Sequence, residues 1–207
     1  YTVDENWLIP HFEKMLYDNA QLIGILNSFW LLTKKEAYKN KIYETVDWLK
    51  SDMLDFSGAF YSSYDADSEG IEGKYYVWSY QELKKILGND FSFFSKIFKI
   101  HKNGNWEGSN VLSYNEKLHI ENNDYSKLRQ LINSLYNERI KRPKPTCDHK
   151  ILCDWNGLII DSIAKSSAIF KDEKLLDLAT QAFNFIKTSM YDDCLLYTSD
   201  AADDLLC

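Results

Sequence analysis

The sequence predicts an all-α protein assembled from antiparallel helical hairpins, with one small β-hairpin inserted between them. Apolar residues recur at helical spacing along most of the 207-residue chain, and short polar segments separate neighbouring stretches. Over residues 59–78 this spacing stops, and aromatic, acidic and glycine residues take its place. Hydrophobic residues form 45% of the chain and charged residues 27%, which excludes a disordered or collagen-like protein.

The first predicted hairpin joins a helix that begins near Pro10 to a helix over 35–54. Proline suits the first helical position because its missing N–H would have no intrahelical partner there. The apolar stripes of the two helices are formed by Phe12, Leu16, Ile23, Leu26 and Trp30, and by Tyr38, Ile42, Val46, Leu49 and Met53. The connection between them is short, so we expect the two helices to be antiparallel.

The insert is predicted to contain two short strands, near 60–63 and 74–78, on either side of an acidic loop. Ser79 and Glu82 have the spacing of a capping box, which predicts the start of a short helix. Further helices are predicted over 91–98, 125–141, 155–170 and 174–190.

The charge balance excludes some classes of partner. The chain carries 24 Lys and Arg against 31 Asp and Glu, a net charge of −7, and nucleic-acid binding needs clustered positive charge instead. No apolar run of about 18 residues occurs, so we expect no membrane-spanning helix. Nothing at the N-terminus marks secretion. The chain begins with Tyr1 rather than Met, so we expect a fragment or a processed product.

Residues 194–207, CLLYTSDAADDLLC, resemble the translation of a sequencing-adapter read-through and are predicted to be a non-native tail. The alternative is a genuine short acidic tail. Without this segment, Cys147 and Cys153 are the remaining cysteines. Two thiols fit a reducing compartment and no disulfide framework, so we expect a cytoplasmic protein.

His11 is the first candidate catalytic residue. On the predicted first helix, His11 and Asp18 lie two turns apart and share a face, so Asp18 is a candidate substrate-binding residue. The positive end of the helix dipole disfavours a charged imidazole, which suits a neutral base at about pH 7. The alternative is that His11 only caps or packs the start of the helix.

An acidic cluster supplies further candidates: Asp65 and Asp67 as catalytic residues, and Glu69 for substrate binding. Crowded carboxylates suit acid/base chemistry or hydrogen bonds to sugar hydroxyl groups. One alternative is a solvated acidic turn. Another is a calcium loop, but its twelfth position holds Tyr76, where a bidentate Glu is required.

Aromatic side chains form 15% of the chain, and an indole can bind the face of a sugar ring or simply fill a core. We expect Trp78, Trp106 and Trp155 to contribute to substrate binding. Glu107 follows Trp106 on a glycine-containing segment, and Asn156 follows Trp155 near the start of a predicted helix. Both are further candidate substrate-binding residues.

Cys147, His149 and Cys153 are a weak zinc signal. They offer three soft ligands without a CxxC pair. We therefore expect no metal site and no other cofactor, although a metal-stabilised domain stays an alternative.

Four segments together resemble one known family: PHFEKMLYDNAQL (10–22), FYSSYDADSEGIEGKYYVW (60–78), GNWEGSNVL (104–112) and DHKILCDWNGL (148–158). This is the thioredoxin-domain-containing family related to spermatogenesis-associated protein twenty. Its members have a thioredoxin-like domain followed by a helical domain similar to N-acylglucosamine 2-epimerases and six-hairpin glycosidases. One departure is His149, which stands where the family usually has an acidic residue.

The resemblance implies a partial α/α-toroid over 1–193, whose pocket lies at one end of the inner helices. It also implies a thioredoxin-like domain as partner in the full-length chain. The first functional hypothesis is a carbohydrate-active domain, either a sugar epimerase or isomerase or a glycosidase-like hydrolase, with a small sugar as substrate. The alternative is a non-catalytic helical module that binds a sugar or a protein beside the thioredoxin-like domain.

Overall fold

The computed structural model describes residues 2–115, 122–192 and 195–196, and divides the chain into two compact units. The first unit combines Tyr1–Phe12 with Ala66–Thr146, and the second combines Glu13–Asp65 with Cys147–Cys207. Within the segment 194–207, the described residues are 195 and 196. The predicted domain over 1–193 and the predicted non-native tail therefore stay predictions.

In chain order, the helices are α1 (Leu16–Thr33), α2 (Glu36–Trp48), α3 (Tyr80–Leu87), α4 (Phe91–Ile97), α5 (Asn122–Arg139), α6 (Cys153–Phe170) and α7 (Glu173–Ser189). The strands are β1 (Lys14–Met15), β2 (Ser63–Tyr64), β3 (Asp67–Ser68), β4 (Ile71–Glu72), β5 (Phe98–Lys99), β6 (Ser113–Tyr114), β7 (Cys147–Asp148), β8 (Tyr191–Asp192) and β9 (Leu195–Leu196). A mostly helical fold with small β-hairpins is thus confirmed. The toroidal arrangement of its helices stays a prediction. In the described part of the chain, no helix is long and apolar enough to cross a membrane.

The second unit is built from two helical hairpins, α1 with α2 and α6 with α7, and α1 also packs along α6. Helical spacing aligns the apolar side chains of the four helices into one core. Its buried members include Leu16, Ile23, Ile42, Val46, Leu49, Ile159, Ile163, Leu175 and Ala182. These helices confirm that the apolar stripes mark helices, but the stripe predicted over 35–54 is divided, because α2 ends at Trp48 and Leu49–Met53 form a π-helix.

The predicted start of the first helix at Pro10 is wrong, because α1 begins at Leu16. The two residues before it form β1, which pairs antiparallel with β2, and β2 pairs in turn with β7. The main-chain groups ahead of α1 are therefore used by a sheet whose other strands are distant in sequence. His11 lies outside α1, so His11 and Asp18 do not share a helix face.

A buried polar seam joins α1 to α6. Ser166 Oγ donates to Asn27 Oδ1 at 3.0 Å, and Asn27 Nδ2 donates to the Ser162 carbonyl at 3.2 Å. Ser162 Oγ donates to the Ala20 carbonyl at 2.7 Å. Gly24 lies beside the seam, where an added Cβ would be 3.5 Å from Ser162 Oγ. Small side chains thus let the two helices approach closely while these buried polar groups are hydrogen-bonded.

The first unit has its own core, enclosed by α3, α4 and α5. Its buried side chains include Leu83, Leu87, Phe94, Ile97, Leu128 and Leu135. Ser79 caps α3, since its Oγ accepts a hydrogen bond from the Glu82 N–H at 3.1 Å. The start predicted from the capping box is therefore confirmed.

The strand predicted at 74–78 is wrong, and a turn takes its place. Gly73 has a φ of 70°, and its carbonyl accepts hydrogen bonds from the N–H groups of Tyr76 and Val77. A Cβ added at Gly73 would lie 2.6 Å from the ring of Phe12. Both the left-handed backbone and this close approach therefore require glycine.

Candidate functional site

His11 and Glu72 approach each other in the first unit. His11 Nδ1 lies 3.9 Å from Glu72 Oε1, and the two side chains are 19% and 40% exposed. This separation is longer than a hydrogen bond, but it allows a direct electrostatic interaction between the two groups. The pair is half-buried and can still be reached from solvent.

The hairpin formed by β3 and β4 positions Glu72. Its turn consists of Glu69 and Gly70, with φ values of 54° and 73°, as in the type I′ turns that match strand twist. The strand register places Asp67 directly opposite Glu72, so these two carboxylates share one face of the hairpin. Glu69 is held differently, by an ion pair with Lys74 at 2.8 Å.

A cavity of about 390 Å³ lies beside this turn in the first unit. Its charged lining side chains are Glu69, Lys74, Glu82 and Arg142, and serine hydroxyl groups add to its polar wall. Lys74 pairs with Glu69, and Arg142 Nη2 pairs with Glu82 Oε1 at 2.8 Å. The charges of these four side chains balance, so the cavity suits a neutral ligand better than a strongly charged one.

Arg142 also fixes the wall of this cavity. Its Nη1 donates to the carbonyl oxygens of Lys74, Tyr75 and Val77 at 3.3, 3.0 and 2.8 Å. Its guanidinium lies 4.0 Å from the ring centroid of Trp78, a cation–π distance. Trp78 is only 4% exposed, so packing accounts for this indole, and its predicted role in substrate binding stays a prediction.

Trp106 and Glu107 lie on a second tight turn of the first unit. Trp106 and Ser109 exchange main-chain hydrogen bonds of 2.9 and 2.7 Å, and Glu107 and Gly108 form the turn with φ values of 43° and 79°. Glu107 is exposed at the tip. Trp106 packs against Phe12, and its buried Nε1 has no hydrogen-bond partner within the described residues. The Trp106 Nε1–H is therefore a buried donor that the described residues leave unsatisfied, and the predicted role of Trp106 in substrate binding stays a prediction.

The other sequence-predicted residues belong to the second unit. Asp18 is exposed in the first turn of α1, and Asp65 is exposed just after β2. Trp155, in the first turn of α6, packs edge-to-face on Tyr17 with ring centroids 4.8 Å apart. These three side chains stay candidates for the roles predicted from the sequence.

Asn156 is fully buried, and its side-chain amide bonds to both main-chain groups of Phe60, as a neighbouring strand would. Its Oδ1 accepts a hydrogen bond from the Phe60 N–H at 2.9 Å, and its Nδ2 donates to the Phe60 and Leu152 carbonyls at 2.9 Å each. Its side-chain amide thus bonds to main-chain groups on two segments. These bonds account for its burial, and its predicted role in substrate binding stays a prediction.

Cys147 and Cys153 are partly buried free thiols of the second unit. Burial raises the pKa of the Cys147 thiol and of the Cys153 thiol, which lowers their thiolate fraction at neutral pH. Across residues 2–115, 122–192 and 195–196, no cluster of three His, Cys, Asp or Glu side chains could hold a metal ion. The described residues therefore give no support to the calcium or the zinc alternative.

Sequence reasoning missed two residues of this site. Glu72 was outside the candidate set, because its position opposite Asp67 depends on the register of the hairpin. Arg142 was missed because its partners, Trp78 and Glu82, are far away in sequence.

Comparisons with known proteins confirm the resemblance of the four segments. No family model matches the chain. The chain is 31% identical to human spermatogenesis-associated protein 20 and 32% identical to the mouse protein of that name, over 93% of its own length. It spans 29% of the length of each of these relatives. A structure of cellobiose 2-epimerase from Bacillus thermoamylovorans B4167 is 15% identical over 90% of this chain and 64% of that one, with a TM-score of 0.25, too low to support a fold or an activity.

Proposed function

We propose that this chain, a relative of spermatogenesis-associated protein 20 along 93% of its length, forms part of a carbohydrate-active domain that moves a proton on a sugar. One observation carries the proposal: a half-buried histidine, His11, lies 3.9 Å from a carboxylate, Glu72, and solvent can reach both side chains. The family resemblance of the four segments adds the substrate class, a small sugar.

The pair suits a neutral imidazole that acts as a base. With its proton on Nδ1, facing the Glu72 carboxylate, the ring of His11 would keep the lone pair of Nε2 for proton abstraction. The carboxylate would favour this tautomer and stabilise the imidazolium that forms.

The reaction proposed is epimerisation or isomerisation next to a sugar carbonyl. His11 Nε2 takes the proton from the carbon beside the carbonyl, and the electron pair of the broken C–H bond moves toward the carbonyl oxygen. For an isomer, the His11 imidazolium returns the proton to the former carbonyl carbon, while the neighbouring hydroxyl group passes its proton to the enediolate oxygen and becomes the new carbonyl. For an epimer, water donates a proton to the opposite face of the same carbon, and the hydroxide that forms takes the proton from the imidazolium. A glycosidase-like variant of the proposal uses the two carboxylates of the hairpin, Asp67 and Glu72, instead.

A second candidate function is a non-catalytic module beside a thioredoxin-like domain. It is favoured by the packing of Trp78 and Asn156, two predicted substrate-binding residues whose contacts with Arg142 and with the Phe60 main chain stabilise the fold. Both candidates fit a cytoplasmic protein, because a reducing compartment keeps Cys147 and Cys153 as free thiols.

Deuterium exchange separates the two. The full-length protein is incubated in D₂O with a panel of free aldoses and ketoses, and NMR follows the loss of the C–H signal beside the carbonyl. We expect exchange, and we expect His11→Asn to slow it by about 100-fold or more, because general-base catalysis contributes that much. Glu72→Gln should slow it less and shift its pH profile.

The matched control is His101→Asn, which removes an exposed histidine from the same unit and should leave exchange unchanged. Release of reducing sugar from glycosides without any exchange would favour the hydrolase variant. Sugar binding without exchange or hydrolysis, unaffected by His11→Asn, would favour the module.

A further inference from the structure

Residues 2–10 form a closed loop that ends immediately before His11. Thr2 and Pro10 pair in a β-bridge, and the Val3 N–H donates to the Ile9 carbonyl at 2.9 Å. These two links close the base of the loop. His11 directly follows Pro10, the last residue of this base.

A carboxylate holds the loop together from the inside. Asp4 Oδ1 accepts hydrogen bonds from the N–H groups of Leu8 at 2.9 Å and Ile9 at 2.6 Å, and Asp4 Oδ2 accepts one from Asn6 at 3.0 Å. Hydrogen bonds to an ionised acceptor are stronger than neutral ones. The loop is thus rigid for a nine-residue surface segment.

Trp7 lies in this loop with an exposed side chain and a left-handed backbone. Its side chain is 82% exposed, although indole is among the side chains that gain most from burial. Its φ is 56°, a left-handed conformation that bulky residues rarely adopt and that glycine would occupy without strain. Both the exposed indole and the strained backbone are energetically unfavourable, and such strain is often found at functional sites.

We infer that Trp7 is a stacking platform for a pyranose ring. The inference rests on the proposed function for its ligand class. An indole face binds the C–H face of a sugar through apolar contact, and the ring edge stays hydrated. Because the Asp4 hydrogen bonds already hold Trp7 in place, little conformational freedom is lost on binding.

The test uses the full-length protein labelled with 5-fluorotryptophan and ¹⁹F NMR. The Trp7 resonance is assigned by its disappearance in Trp7→Phe. The probe is methyl β-D-glucopyranoside, which cannot undergo exchange beside a carbonyl. Sorbitol is the control ligand, because it has similar hydroxyl groups but no ring face. We expect the Trp7 resonance to shift with the glycoside and to stay unchanged with sorbitol.

Variants separate binding from folding. Trp7→Ala should weaken glycoside binding by about tenfold, within the range of aromatic contacts, and Trp7→Tyr should restore most of it. Trp7→Gly should fold at least as well as Trp7→Ala and still lose binding. Phe56→Ala, which removes a fully exposed aromatic ring from the second unit, should leave binding unchanged.

A Trp7 resonance that ignores the glycoside at the highest concentration tested would overturn the platform, whatever the exchange assay shows. An equal response to sorbitol would overturn it as well. A responding Trp7 together with no deuterium exchange would leave the platform standing and defeat the proposed proton transfer instead.

Discussion

A similar turn occurs in each unit, and these two turns differ at one position. In both, an aspartate carboxylate accepts a hydrogen bond from the N–H two residues on: Asn6 for Asp4 at 3.0 Å, and Ser57 for Asp55 at 2.8 Å. In both, the aspartate carbonyl accepts a hydrogen bond from the residue three positions on.

That fourth residue is left-handed in both turns. In the second unit it is Gly58, with a φ of 96°, and in the first unit it is Trp7, with a φ of 56°. Glycine is the ordinary choice for this backbone, because it has no Cβ to clash. The turn therefore imposes the left-handed conformation, but it does not explain why a tryptophan occupies position 7.

The largest expected effect comes from making the second turn resemble the first. Gly58→Ala should lower the free energy of unfolding by about 2–3 kcal/mol, because the backbone is strained and the new Cβ is crowded. That Cβ would lie 3.1 Å from the Cβ of Gln181. Chemical denaturation measures the loss.

The control for Gly58→Ala is Gly157→Ala in α6, where an added Cβ meets nothing within 4 Å. A helical glycine costs about 0.5–1 kcal/mol relative to alanine, so this variant should gain stability. Equal effects of the two substitutions would contradict the strain assigned to the turn.

The next effect concerns the second partner of each aspartate. Asp55 Oδ1 accepts a hydrogen bond from the Tyr61 hydroxyl at 2.6 Å, where Asp4 uses main-chain N–H groups. Tyr61→Phe should cost about 1.5 kcal/mol of unfolding free energy, as for a lost hydrogen bond to a charged group. Tyr38→Phe is the control, because the Tyr38 hydroxyl makes no hydrogen bond within the described residues and should be near neutral.

A smaller effect should reverse its sign between two neighbouring positions. At Trp7, the glycine variant should be more stable than the alanine variant by about 1 kcal/mol, because the site is left-handed. At Glu5, which is not left-handed, the alanine variant should be the more stable of the pair. Thermal unfolding of the four variants measures both differences, and the same order at both positions would remove the argument from strain at Trp7.

The smallest effect is a pH dependence. The hydrogen bond from the Ile9 N–H, with those from Leu8 and Asn6, holds the pKa of Asp4 below its usual value. Burial would raise the pKa of Asp55, but the hydrogen bonds of Ser57 and Tyr61 outweigh it and lower that pKa too. The stability from both groups is therefore present above their unfolded pKa of about 3.9 and is lost as the pH falls through the folded values.

Carboxyl ¹³C NMR titrations of the native protein and of Tyr61→Phe check this prediction. The variant should raise the pKa of Asp55 and leave that of Asp4 unchanged. At the alkaline end, the hydrogen bond to Asp55 and burial raise the pKa of Tyr61 to about 12. The stability from Tyr61 is present below its unfolded pKa of about 10 and is lost as the pH rises through the folded value.

Local patterns predicted the helices of both units. The apolar stripe of 35–54 and the cap at Ser79 need only neighbouring residues, so both could be inferred without knowledge of the fold. The start of α1 could not, because the residues ahead of it pair with a strand far along the chain. The helical interpretation of His11 failed for this reason.

The candidate site shows the same limit. Glu69 and Gly70 announce a tight turn, but that Glu72 would meet His11 depends on a contact between distant segments. Indoles and amides occur both in binding sites and in cores, so the burial of Trp78 and Asn156 is visible only in the structure, and their predicted roles in substrate binding stay predictions. The left-handed state of Trp7 has no sequence signal at all.

The polar seam between α1 and α6 limits how these helices can move. A slide of one helical turn, about 5.4 Å, would break these three hydrogen bonds in their present pairing, because each is only 2.7 to 3.2 Å long. The seam therefore fixes the register of α1 on α6.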